Sequence, residues 1–293
     1  WAKGYFFDSS GQMHADKEIV EWLVERLPGN SLHHIILQMN GCYSLLIVYP
    51  DAGRVELGVD RIAAVPVYIQ HTPSQLAISD NFWTLSHRQD TLEYDPVGVA
   101  GMLLLGHTSG PHTMLKSIDI PLPGSIYSFT GSGRFQQTRR IYWVNAYRPQ
   151  PAADYRQLRS ETAEMLSGVF DRYAAAIQKR SLTVEVPLSG GLDSRLAAGL
   201  LHRAGVPVKA FSYGPPGNNE SLTSAQVARV LSIPHRDTII DDPRLFSPQV
   251  IECQTKLVGA QSRFTTGIGP RLALADYDPE RVFITGHPGN LPT

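Results

Sequence analysis

The hexapeptide Ser189-Gly190-Gly191-Leu192-Asp193-Ser194 constrains the fold of this chain more than any other feature, because of what stands on either side of it. Residues 182–188 form an apolar, β-branched run, and residues 193–204 carry apolar side chains at helical spacing. A glycine-rich turn between a strand and a helix presents backbone N–H groups at a helix N-terminus, where the helix dipole adds to them, and such a turn binds phosphate. The two glycines are expected to let the chain curl without Cβ clashes, and the two serines to add hydroxyl donors. The GxxxxGK[ST] spacing of a Walker loop is absent, so hydrolysis of a β–γ phosphate bond is not the expected chemistry.

The same alternation of strand and helix extends along the second half. A helix over 155–179 has Leu158, Thr162, Met165, Leu166, Val169, Phe170 and Tyr173 on one face. After the glycine loop and its helix come a strand at 208–213, a helix at 221–231 and a strand at 282–285. This pattern predicts a parallel, doubly wound α/β sheet. The first half reads differently, as α+β and mostly strand, with runs at 42–49, 54–59, 65–70, 125–129 and 135–144 separated by Gly, Asp and Pro. One helix interrupts it, capped by Asp16, carried by Ile19, Val20, Leu23, Val24 and Leu27, and closed by Pro28 and Gly29. The Pro- and Ala-bearing stretch between the halves is a linker, so two domains are expected, 1–147 and 154–293.

Composition narrows the partners. A formal net charge of −1 draws the chain neither to nucleic acid nor to an anionic membrane, so any polyanion must be held locally. The longest apolar stretch, 97–105, is too short to span a bilayer. Cys42 and Cys253 lie far apart with no CxxC pair, which argues against a zinc site or a disulfide framework and fits a reducing, cytoplasmic setting. The start at Trp1 and the end at Thr293, just past a strand and its loop, read as a fragment clipped at both ends.

The hexapeptide resembles the PP-loop of the N-type ATP pyrophosphatases, which grip the pyrophosphate of ATP while a carboxylate attacks the α-phosphate to form an acyl-adenylate. That resemblance implies ATP binding by Ser189, Gly190, Gly191, Leu192, Asp193 and Ser194, with Asp193 catalytic and holding Mg²⁺. The stretch from Phe211 to Glu220, with Val227-Ala228 and the turn to His235, is similar to the second nucleotide segment of the asparagine synthetase family. By that likeness Leu188 and Tyr213 contact the adenine-bearing part, and Glu220 is the catalytic acidic residue. Phe283 to Asn290 resembles the third segment, where Thr285 and Gly286 complete the pocket; Asn290 stands where the family usually has aspartate. Arg195 is either a charge near the departing phosphates or a solvent-facing helix arginine.

Asn40 to Tyr49, Gly58-Val59-Asp60-Arg61, Val65 to Tyr68, Leu76 to Asp80 and Leu122-Pro123-Gly124 resemble the class II glutamine amidotransferase domain of the same family, implying an Ntn-like β sandwich. Catalysis there uses an N-terminal cysteine; Cys42, inside a strand pattern, reads as an inert thiol. The family's oxyanion Asn-Gly falls at Lys3-Gly4, and its glutamine-binding aspartate at Asp16, although capping is the stronger role for Asp16. Glutamine hydrolysis is therefore not expected. The resemblance implies an AMP-forming amide ligase. Its partners are a small-molecule or peptide carboxylate and a nitrogen donor, which is glutamine, ammonia or an amine of the substrate. A homodimer fits the family, and neither nucleic acid nor membrane is a partner. A macrocyclase or lactam-forming relative and a catalytically silent nucleotide-binding module are the alternatives.

Overall fold

The structure, a computed structural model, describes residues 1–89, 91–131, 134–146, 154–241, 247–257, 259 and 281–285. The chain divides into two units, Trp1–Arg148 with Glu252–Phe264, and Pro149–Ile251 with Thr265–Thr293. The first unit runs β1 (Ala2–Phe7), β2 (Met13–Ala15), α1 (Lys17–Arg26), α2 (Leu32–Ile36), β3 (Asn40–Tyr49), β4 (Arg54–Val59), β5 (Tyr68–Thr72), β6 (Gln75–Ser79), α3 (Phe82–Ser86), α4 (Pro96–Leu105), β7 (Ser125–Thr130) and β8 (Gln136–Ile141).

Six of these strands form one antiparallel sheet in the order β2-β1-β3-β4-β7-β8, and β5 with β6 forms a hairpin. Side-chain alternation divides the apolar residues of the sheet between its two faces. Leu45 and Ile126 pack with Ile19, Trp22 and Leu23 of α1 and with Leu32, Ile35 and Ile36 of α2. Leu57, Tyr127 and Phe129 pack instead with Val67 and Ile69 at the hairpin. The sheet is thus covered by helices on one side and by a two-stranded hairpin on the other.

Further along the chain come α5 (Tyr155–Lys179), β9 (Thr183–Pro187), α6 (Leu192–Arg203), β10 (Val208–Gly214), α7 (Asn219–Leu231), β11 (His235–Ile239), α8 (Pro248–Leu257) and β12 (Arg281–Phe283). Strands in the order β11-β10-β9-β12 make a wholly parallel sheet. Val184, Val186 and Leu188 share one face with Val208 and Ala210, and meet Ala174 and Ile177 of α5, Ala198 and Leu201 of α6 and Ala228 of α7 in one core. Among the described residues no helix shares a core with the opposite face, where Glu185 is buried with Arg281 at 3.3 Å. The molecule therefore contains an antiparallel and a parallel sheet with mixed helix, and α5, α6 and α7 line one side of the parallel one.

Several expectations change in detail. Asp16 occupies the N-cap position of α1 but with φ 45° and no side-chain cap bond. Its Oδ1 accepts instead from the Gly4 amide at 3.2 Å, and Glu18 takes the Ala15 amide at 3.0 Å. The apolar stretch at 97–105 is α4, N-capped by Asp95, with Pro96 in its first turn and Gly106 at φ 82° after its end. The face predicted for α5 packs only in its second half: Leu158 and Met165 are 41% and 63% exposed, whereas Phe170 and Tyr173 reach the core. No described helix is long and apolar enough to cross a membrane.

Candidate functional site

In a parallel sheet flanked by helices, the crevice at the carboxyl ends of the strands is where ligands are held. At the end of β9, the Leu188 N–H donates to Phe211 O at 2.8 Å, and its carbonyl accepts from Ser224 Oγ at 2.5 Å. The Leu188 side chain is buried in the core below the loop. The chain then enters the Ser189–Ser194 turn and α6 begins at Leu192, with Gly191 as an N-cap that supplies no side chain.

The serines are occupied with the loop itself. Ser194 is buried; its Oγ accepts from the Ser189 amide at 3.0 Å and lies 3.0 Å from Ser189 Oγ, which in turn accepts from the Gly191 amide at 3.2 Å. They brace the turn from within. The amides of Gly190, Leu192 and Asp193 take no partner among the described residues, so the donors left for an anion are backbone N–H groups at the start of a twelve-residue helix.

The two glycines differ: a side chain at Gly191 would press on the loop itself, whereas one at Gly190 would not. Gly191 has φ −76°, ψ 160°, and neither it nor Gly190 is in the left-handed region. A Cβ built on Gly190 meets only the Thr223 side chain at 3.9 Å, and one on Gly191 only Ser189 Oγ at 3.3 Å. Gly4 is the contrast, with φ 106° and a would-be Cβ 2.1 Å from the Cys42 carbonyl oxygen. The fold forbids a side chain at position 4 and tolerates one at position 190. What the paired glycines leave open is the surface above the loop.

Arg195 is half-buried and is not the solvent-facing helix arginine that was one of its two expected roles. Its Nε donates to Gly191 O and its Nη2 to Gly190 O, both at 2.9 Å, so the guanidinium is folded back onto the loop. Asp193 and Leu192 are exposed in the first turn of α6.

Helix α7 brings further residues alongside. Thr223 borders Gly190, and one turn earlier on α7 Glu220 lies close enough to Tyr213, half-buried at the end of β10, for its carboxylate, after burial, to push the phenol pKa up. Asn218 caps α7, its Oδ1 accepting from the Ser221 amide at 2.9 Å. Asp237 accepts from Ser212 Oγ at 2.9 Å and Ser221 Oγ at 2.7 Å, tying β10, β11 and α7 together behind Tyr213 and Glu220. Ser224, Thr223 and Asp237 were not legible as site residues; the hydroxyl-rich first half of α7 was the available signal for the first two, and Asp237 on β11 had none. Thr285 lies two residues past Phe283, which is in register with Glu185, and so is exposed at the same sheet end. Gly286 and Asn290 lie outside the described residues.

In the first unit, Gly4 and Asp16 are joined by the amide-to-carboxylate bond described above, and Lys3 Nζ pairs with Asp80 Oδ2 at 2.9 Å on the surface. Cys42 is a free, half-buried thiol in β3, its pKa pushed up by burial and then by Asp60.

A glycine-rich loop, capped by a helix start, at the carboxyl end of a parallel sheet is an arrangement suited to an anion. Residues 142–275 match the family model described as asparagine synthase, over less than half of the chain. No curated protein matches the chain in sequence. The family match supports ATP-dependent amide ligation, a carbon–nitrogen bond-forming activity, in general terms.

Proposed function

We propose that the Ser189–Ser194 loop holds the pyrophosphate of ATP and that the chain adenylates a carboxylate, which an amine or ammonia then converts to an amide. The observation that carries this reading is Gly190, whose missing side chain the described fold does not require, beside the amides of Gly190, Leu192 and Asp193 that have no partner among the described residues. Those amides and the dipole of α6 would carry the negative charge that builds on the leaving pyrophosphate. Tyr213 and Thr285 stand where they could border the nucleoside part, and Glu220 where it could assist at the reacting centre. Gly286 is carried on the resemblance alone.

The donor set suits Mg²⁺. Among the described residues no three His, Cys, Asp or Glu side chains gather to hold a metal, but Mg²⁺ on a nucleotide needs only one or two carboxylates besides phosphate oxygens and water. Asp193, exposed beside the free amides, would be that ligand; the bound ion would neutralise phosphate charge. The acyl substrate is proposed as a small-molecule or peptide carboxylate, and the nitrogen donor as ammonia, glutamine or an amine of the substrate.

Product identity tests the reading. In a panel of free amino acids and peptides bearing carboxylates, any that stimulates ATP consumption should yield AMP and pyrophosphate, separable by anion exchange. A loop without the Walker lysine leaves the γ-phosphoryl group unactivated. Stoichiometric ADP and phosphate would contradict the proposal.

A further inference from the structure

We propose that Arg195 is a positioning residue for the phosphate loop, turning the Leu192 amide toward the pyrophosphate by anchoring two successive glycine carbonyls. This rests on reading the loop as the pyrophosphate site.

The guanidinium reaches both carbonyls at 2.9 Å, using Nε for Gly191 and Nη2 for Gly190, and no described carboxylate lies within ion-pair distance of it. Bonds from a charged donor are stronger than neutral ones, so this contact is well suited to holding a flexible segment. Glycine is the residue that most needs such holding, because an unrestrained Gly-Gly pair samples more backbone conformations than any other.

The consequence follows from peptide geometry. In a planar trans peptide the N–H points opposite to the C=O. The Gly190 carbonyl shares a peptide with the Gly191 N–H, which Ser189 Oγ already accepts. The Gly191 carbonyl shares one with the Leu192 N–H. Drawing the Gly191 oxygen toward Arg195 therefore aims the Leu192 N–H away from it, as a donor with no partner among the described residues. The positive charge acts through the peptide and not by touching the phosphates. A lysine in its place would keep the charge, but it would present its donors from one nitrogen on a flexible stem, without the planar fork that fixes both carbonyls in one orientation.

The test compares wild type, Arg195→Lys and Arg195→Gln by calorimetric titration with Mg·ATP, inorganic pyrophosphate and AMP, alongside thermal unfolding. The expected result is a loss of about tenfold in affinity for ATP and pyrophosphate in both variants, with AMP affinity unchanged, because only the pyrophosphate meets the pre-set amide. The Leu192 amide resonance should shift on adding pyrophosphate to wild type and not to the glutamine variant. Unchanged pyrophosphate affinity in the variants overturns the inference. So does full restoration by lysine, which would mean charge alone, and so does an equal loss for AMP, which would mean collapse of the site. If wild type binds neither ATP nor pyrophosphate, the reading of the loop itself fails and the inference falls with it.

Discussion

Replacing Gly190 with alanine is expected to weaken Mg·ATP binding at least about tenfold while leaving the fold intact. A Cβ at this position makes only ordinary contact with Thr223, and the backbone is not in the left-handed region. Alanine at a glycine position of compatible conformation costs the folded state nothing and often stabilises by about 0.4–1 kcal/mol, since it restricts the unfolded chain. The added methyl would stand over the loop, where a phosphate must come within hydrogen-bond reach of the amides; a tenfold loss corresponds to about 1.4 kcal/mol. Isothermal calorimetry paired with thermal unfolding separates the two effects. Lower unfolding temperature with unaltered ATP affinity would show that the glycine serves the chain and not a ligand.

Asp60→Ala should cost about 3 kcal/mol of stability, read as a lowered urea midpoint. The carboxylate is 1% exposed and accepts from the amides of Tyr43 at 2.9 Å, Ile62 at 2.8 Å and Ala64 at 3.0 Å. Burial raises its pKa, and these backbone bonds pull it back down. It ties the end of β4 to β3 and to the loop that follows. Removing it strands three donors, and each buried donor left without a partner costs about 1–3 kcal/mol, reduced here because Ile62 and Ala64 are themselves exposed. Asp60→Asn keeps one oxygen acceptor and should cost less. A loss below about 1 kcal/mol for alanine would mean that water replaces the carboxylate.

Elements with a strong local signature were legible in the sequence. Strand 54–59 and helix 155–179 are found at the residues expected, the helix because Asp154 caps it and its apolar spacing persists to Lys179. Strand β1 was not read, because Gly4 interrupts it, and that glycine is explained by close approach to β3, a partner some forty residues away. Strand β11, His235–Ile239, is polar at alternate and adjacent positions alike and is recognisable only as the parallel neighbour of β10. Helix α4 has apolar residues on every side, so periodicity gave no sign of it, although Asp95-Pro96 and Gly106 mark its ends. The candidate site divides in the same way. Its loop is contiguous and could be read directly, whereas the bond from Ser224 to the Leu188 carbonyl spans 36 residues and the Arg195 clamp depends on a side-chain direction that spacing does not determine.

The most direct test of the central claim is a calorimetric titration of ATP into the protein, with and without Mg²⁺, repeated on Asp193→Ala. Asp193 lies exposed beside the free amides and touches no core residue cluster, so its removal should not unfold α6. The expected result is saturable, Mg²⁺-dependent binding to wild type that is matched by inorganic pyrophosphate as a competitor and weakened at least about tenfold in the variant. Binding that is indifferent to both Asp193→Ala and pyrophosphate, or no binding at all, would contradict the assignment of this loop as the pyrophosphate site.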